Sequence, residues 1–348
     1  MDVIYDVVSI IDFIDLSSAI SLPWRGVRSC PRLHAIFASN HLTYASHREW
    51  YVCWYACLWF DCELPLFRPL ARPPPTFLAA MKANPFVLIT PATRGLSLAL
   101  TRHFLQTTKL PVFATHRSGS ASSVAADILK PLKDVESSRL TLLPLDLTDE
   151  GSIAAAADKL GTSLPEGHDS YLHTAFFTGG MLHPEKQPAD IDIGALTETF
   201  QTNVISHLLL IKHFSRFLPS ARTKQADSTE TDTDTPKSKW VHVSARVGSI
   251  ADNKRGGWYS YRASKAALNQ VVKTFDVQLQ MRGLPAMCIG VHPGTMKTGL
   301  SKDFWGSVSE EKLFSPEFAA GRLVEVVGGL EDGQRGRIWD WEGKEVPP

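Results

Sequence analysis

The sequence predicts an α/β protein in which one doubly wound parallel sheet of about seven strands carries helices on both faces. Three observations point there. Short continuous apolar runs, such as Phe86-Val87-Leu88-Ile89-Thr90, read as strands buried on both faces. Stretches with helical periodicity alternate with them, which calls for right-handed crossovers and a parallel sheet. The composition, 44% hydrophobic and 21% charged over 348 residues, is that of a globular chain. Lys and Arg (36) balance Asp and Glu (36), so no global field draws nucleic acid or an anionic membrane. No apolar run approaches the roughly 18 residues that span a bilayer. The longest suspect, Trp50 to Phe60, stops at Asp61. The expectation is a cytoplasmic protein whose partner is a small molecule.

The elements follow in order from residue 81. Residues 1–80 read as an N-terminal extension, acidic at Asp2, Asp6, Asp12 and Asp15 and aromatic from Trp50 to Phe60, ending in the stiff Ala71-Arg72-Pro73-Pro74-Pro75 linker. Early aspartates argue against a mitochondrial presequence; Met81, directly before the first strand, is the expected working start, the alternative being an N-terminal appendage that packs on the main domain. Cys30, Cys53, Cys57 and Cys62 fall in that extension; their spacing lacks the second ligand pair of a zinc site, so no metal is expected. Strands are predicted at Phe86–Thr90, Pro111–Thr115, Leu140–Leu145, Tyr171–Phe177, Trp240–Val243 and Ala286–Val291, with a last short one at Arg337–Trp339. Helices are predicted at Leu96–Leu105, Ser152–Lys159, Ile191–Phe217, Tyr259–Met281 and Glu317–Val327, the last opened by Ser315 and Pro316. Residues 221–239, rich in Ser, Thr, Asp and Lys, read as a disordered surface insertion in the 81–348 domain.

Tyr261-Arg262-Ala263-Ser264-Lys265 carries the strongest chemical signal. Four residues is about one helical turn, so the phenol and the ammonium share a face. A free phenol has a pKa near 10, and a fixed neighbouring cation favours the phenolate, so Tyr261 is expected to titrate lower and act as general acid or base. Upstream, Thr90-Pro91-Ala92-Thr93-Arg94-Gly95-Leu96-Ser97 forms a strand–turn–helix of the kind that receives a dinucleotide pyrophosphate. Asp146 ends the third strand, Asn203 lies within the long helix, and Pro293-Gly294-Thr295 ends the sixth strand.

In this order these motifs resemble the short-chain dehydrogenase/reductase family from about residue 85 to 348, and Ser244-Ala245-Arg246-Val247-Gly248-Ser249-Ile250 with Gly256-Gly257-Trp258-Tyr259 is similar to its C-factor and sniffer-type carbonyl reductase branch. The resemblance implies a Rossmann-type fold, a nicotinamide cofactor, a ketone, aldehyde or alcohol substrate and a homodimer or homotetramer. It implies Tyr261 as proton donor, Lys265 on the nicotinamide ribose, and Asn203 holding a relay water. Thr90, Arg94, Gly95 and Leu96 would form the phosphate turn. Asp146 and Leu147 would hold the adenine, and Pro293, Gly294 and Thr298 would line the nicotinamide and pyrophosphate side.

Three departures stand out. Only Gly95 of the family's Thr-Gly-x-x-x-Gly-x-Gly remains, with Pro91 and Ser97 at the other glycine positions, so cofactor binding is expected to be weakened rather than lost. The Asn-Asn-Ala-Gly segment is expected at His173-Thr174-Ala175-Phe176. The catalytic serine corresponds to Ala245, with Ser244, narrowly favoured, or Ser249 as its replacement. Arg117 stands after the second strand where an NAD-specific protein would carry an acid, and with Arg94 it favours the 2′-phosphate of NADP(H). Phe304 and Trp305 lie in the expected substrate lid, 299–313. The function expected is NADP(H)-dependent carbonyl reduction; the alternative is an NAD(P)-binding regulator with little turnover. A nucleotide-sugar epimerase is disfavoured, since little chain follows Thr298 to build a sugar lobe.

Overall fold

The structure is a computed structural model that describes residues 83–348, except 167–168, 221–222 and 224–237. The expected extension to residue 80 lies outside the described residues, as does most of the expected insertion. Its last two residues, Ser238 and Lys239, are instead the start of a strand, and Thr223 is buried, its Oγ1 accepting from the Ser220 amide.

The strands are β1 (Ala83–Thr90), β2 (Val112–His116), β3 (Leu140–Pro144), β4 (Asp169–Phe177), β5 (Ser238–Val243) and β6 (Ala286–His292). After them come β7 (Thr295–Met296), β8 (Leu313–Phe314), β9 (Ile338–Asp340) and β10 (Glu345–Val346). Eight of them form one sheet in the order β10-β9-β6-β5-β4-β1-β2-β3, parallel throughout except for the β9–β10 edge pair. The doubly wound expectation holds with one strand more than expected; β7 and β8 pair separately. Strand order reverses between β1 and β4, and their carboxyl ends meet at Thr90 and Phe177.

Alternation explains the apolar runs. Val87 and Ile89 pack on one face with Leu100, Phe104 and Leu323; Phe86 and Leu88 pack on the other with Leu160, Phe214 and Phe275. Successive side chains point to opposite faces, and helices cover both, so the central positions of the strand, Phe86 to Ile89, are all apolar. The helices α1 (Gly95–Thr107) and α7 (Pro316–Gly329) lie on the first face. On the second lie α3 (Glu150–Ser163), α5 (Ser206–Phe214) and α6 (Tyr259–Met281).

Two features depart from expectation. A helix α2 (Ala121–Leu129), opened by the Ser120 cap, joins β2 to β3 where none was read. The long helix Ile191–Phe217 is three pieces: α4 (Ile193–Phe200), a wider π turn at Gln201–Ile205, and α5, closing in a 3-10 turn at Ser215–Phe217. Such π turns re-aim side chains and recur at functional sites.

Candidate active site

The carboxyl ends of β1, β4, β5 and β6 assemble the site, at the switch point where open α/β sheets receive ligands. Helix α6 brings Tyr261 and Lys265 there, 7% and 2% exposed. The Lys265 Nζ lies 5.8 Å from the Tyr261 ring centroid and donates to the Val243 carbonyl at 2.9 Å. Gly248 makes this approach feasible, because a Cβ there would sit 2.8 Å from the Lys265 backbone.

The electrostatics correct the simple expectation for the pair. Burial disfavours the charged form of each group, so Tyr261 is pushed up to about 12 and Lys265 down to about 7. Desolvation therefore outweighs the pull of the ammonium on the phenol.

Asn203 occupies the π turn and is fully buried. Its Oδ1 accepts from the Met181 amide at 2.8 Å, and its Nδ2 donates to the Met181 carbonyl and to Ser264 Oγ, each at 3.0 Å. The side-chain amide is thus committed to protein partners. Between Asn203 and Lys265 lies Gly180, where a Cβ would stand 3.4 Å from Nζ and 3.6 Å from Oδ1.

Thr90 to Ser97 forms the strand–turn–helix expected of a phosphate turn. Gly95 adopts φ +56°, Ser97 Oγ donates to the Arg94 carbonyl at 2.8 Å, and the Ala92 amide donates to the Thr115 carbonyl. Asp149, Asp192 and Ser315 cap α3, α4 and α7, whereas α1 has no side-chain cap and no acid in its first turn. Its first amides have no side-chain acceptor, and the positive end of a helix suits an anion. Thr298 closes the turn, its methyl 3.2 Å from where a Gly95 Cβ would be. Thr90 Oγ1, Thr115 Oγ1 and His116 Nε2, at the ends of β1 and β2, are buried with no hydrogen-bond partner among the described residues. Such orphans, beside an uncapped helix and a glycine cradle, fit a polar ligand such as a dinucleotide.

Other expected residues divide. Arg94 and Arg117 are exposed beside the turn, and Arg117 helps hold Asp146 below the usual carboxylate range, after the larger contribution of its Thr148 hydrogen bonds. Asp146 Oδ1 accepts from both the Thr148 amide and hydroxyl. Leu147 packs over Gly179, where a Cβ would stand 2.5 Å from its methyl. Leu96 is core. Pro293 precedes Gly294, whose φ of +75° and closeness to Phe314 and Trp341 give it a packing role.

Both candidate serines hydrogen-bond to groups other than the pair. β5 ends at Val243, and Ser244 Oγ donates to Asn269 Oδ1 at 2.6 Å. Ser249 Oγ donates to the Pro348 carbonyl and accepts from the Asp252 amide. Ala245, 8% exposed, brings no hydroxyl. The expected Asn-Asn-Ala-Gly position is also corrected. His173–Phe176 lie inside β4, and the turn at its end is Phe177-Thr178-Gly179-Gly180.

Two residues of the site have no role assigned from the sequence. Trp258, in the left-handed region at φ 50°, stacks edge-on to Tyr261 (6.2 Å) and lies 4.8 Å from Phe304. Trp305 instead anchors its segment through Ser301. Glu185, 3% exposed, accepts from the Ser260 amide and hydroxyl and so caps α6 from a distant loop. The adjacent Gly256-Gly257 pair was the available signal for the first; nothing local marks the second.

A family model described as short chain dehydrogenase matches residues 85–307. The chain belongs to the short-chain dehydrogenase family. The C-signal protein of Myxococcus xanthus is 32% identical over 158 residues, 45% of this short-chain dehydrogenase and 81% of the relative. A 1-hydroxy-2-glutathionyl-2-methyl-3-butene dehydrogenase of Rhodococcus sp. (strain AD45) is 29% identical over 261 residues, 74% of this chain and 96% of its own. Among solved structures, NADPH-bound carbonyl reductase from chicken fatty liver has 26% identity and a TM-score of 0.63, covering 77% of this chain and 100% of that one. Carbonyl reductase Sniffer of D. melanogaster shares the fold at a TM-score of 0.63 and 24% identity, over 76% and 99% of the two chains. The likeness to the C-factor and sniffer-type branch is thereby borne out. Among the described residues, no helix is long and apolar enough to cross a membrane.

Proposed function

We propose that this short-chain dehydrogenase is an NADP(H)-dependent carbonyl reductase. The observation that carries the reading is the buried Tyr261–Lys265 pair on α6, facing the Gly180 turn at the strand ends. The bound cofactor supplies the hydride for the carbonyl carbon. Everything else is the work of the chain. The first amides of α1, with Thr298 across the turn, hold the pyrophosphate, and Arg94 and Arg117 meet the 2′-phosphate. Asp146 and Leu147 bound the adenine, and Pro293 and Gly294 the nicotinamide side.

Tyr261 donates the proton to the carbonyl oxygen. A phenol near 12 is protonated at neutral pH, the form that reduction requires. With Lys265 near 7, amine and ammonium are balanced, and an incoming polyanion favours the ammonium; that cation then eases proton loss from the phenol. Trp258 and Phe304 form an aromatic wall beside Tyr261, which supports a ring-bearing or apolar carbonyl substrate. An apolar groove lined by Leu196, Phe200, Ile205 and Tyr259, with Ile193 exposed nearby, supports the self-association that the family resemblance implies.

Ala245 and the committed serines favour a second reading, a dinucleotide-binding protein with little turnover. NADPH consumption across a panel of aryl and alkyl carbonyls, beside direct NADPH binding, decides between them. Carbonyl-dependent oxidation of NADPH is expected; tight binding with no turnover of any carbonyl would support the regulator.

A further inference from the structure

Two histidines that the proposed chemistry does not use lie fully buried behind the Gly179–Gly180 turn. Trp240 Nε1 donates to His242 Nε2 at 2.9 Å, the two Nδ1 atoms of His242 and His207 are 2.7 Å apart, and His207 Nε2 is 3.0 Å from the Gly179 carbonyl. An indole N–H can only donate. His242 Nε2 must therefore accept, and its proton sits on Nδ1. That Nδ1–H donates to His207 Nδ1, which leaves the His207 proton on Nε2, where it donates to the Gly179 carbonyl. All four ring nitrogens are satisfied by one assignment of protons. An added proton at either ring would set two donors face to face, at the Nδ1 contact or against the indole. With a donor-only group at one end and a carbonyl at the other, the chain is a lock rather than a relay.

The turn it holds is fixed at Thr178 and at Met181, with Gly179 between them. Gly179 carries no side chain, and a Cβ there would collide with Leu147. The turn's fixings are the Thr178 amide and hydroxyl donating to the Thr90 carbonyl, that hydroxyl also reaching the Pro91 carbonyl, the Asn203 amide clasping Met181, and the His207 bond, which reaches Gly179 itself. Asn203 and His207 are one helical turn apart, so a single helix face grips both ends of the turn.

We propose that Trp240, His242 and His207 form a neutral hydrogen-bonded lock that positions the Gly179–Gly180 turn for the dinucleotide, His207 and His242 being positioning residues. The proposal rests on the cofactor reading above. Burial keeps His207 at about 3 and His242 well below its ordinary value, and the Lys265 charge facing them pushes both the same way.

Two measurements test it. In histidine ¹⁵N spectra of the whole chain, His207 is expected as the Nε2–H tautomer and His242 as the Nδ1–H tautomer, neither titrating between about pH 5 and 8. Titration of either ring in that window, or the opposite tautomers, would overturn the lock whether or not NADPH binds. In binding, His207→Phe is expected to weaken NADPH affinity about tenfold, and His207→Gln, which keeps an N–H donor, to recover most of it. Were packing the role, Phe would serve better than Gln, and that order would overturn the positioning claim. A wild-type chain that binds no NADPH sinks the cofactor reading and the positioning claim together, while the tautomers still judge the lock.

Discussion

At the scale of residues, the site is a contest between burial and charge, and burial prevails. Lys265 is neutralised more readily in the folded chain, at about 7, than at its ordinary 10.5. The unfolded chain therefore binds the extra proton between those values, and stability rises with pH across that window. Lys265→Met is expected to gain about 2 kcal/mol near pH 7, a difference shrinking as pH approaches 10.5, read from urea midpoints at several pH values. A pH-independent difference would contradict the assignment. Ala245 marks the missing hydroxyl. If it holds the serine position, Ala245→Ser should raise kcat about tenfold, whereas Ser244→Ala should change it little, because that hydroxyl serves Asn269. Arg117→Asp is expected to weaken NADPH binding about tenfold and leave NADH nearly unaffected, measured by titration of both. The Tyr261–Lys265 spacing was legible in the sequence because helical geometry is local. The direction of the tyrosine shift was not, since burial is a property of the packed site. Nor was the fate of Ser244, which depends on β5 stopping at Val243 and on a partner on another element.

At the scale of elements, α6 is the part on which the site is mounted. It is placed by Glu185 at its start and by the Gly248 loop against Lys265. Gly248→Ala would set a Cβ 2.8 Å from the Lys265 backbone. The expected cost is about 1–3 kcal/mol of stability with a fall in kcat, read from urea melts and NADPH assays of one preparation. Unchanged values in both would show that the loop yields freely. The strands and α6 were readable from their apolar patterns, and α6 was read at its observed bounds. Helix α2 was missed although Val124, Ala125, Ile128 and Leu129 form a short apolar stripe that packs on the core; nine residues carry that period through barely two turns. The π turn escaped because a single widened turn barely shifts the period on either side.

At the scale of the whole molecule, the parallel order and its reversal at β1 and β4 bring distant segments to one edge of the sheet. Phosphate turn, glycine turn and α6 are contributed by residues near 95, 180 and 261. Alternating strands and helices made that architecture legible; the two-residue β10 was too short to announce itself. The central claim is that this edge makes Tyr261 a proton donor beside a bound reduced nicotinamide. The most direct measurement compares wild type and Tyr261→Phe for carbonyl-dependent NADPH oxidation, with NADPH affinity determined on the same samples. The account expects turnover to fall at least about 100-fold while affinity stays within a few-fold. Equal turnover by the two proteins would contradict it.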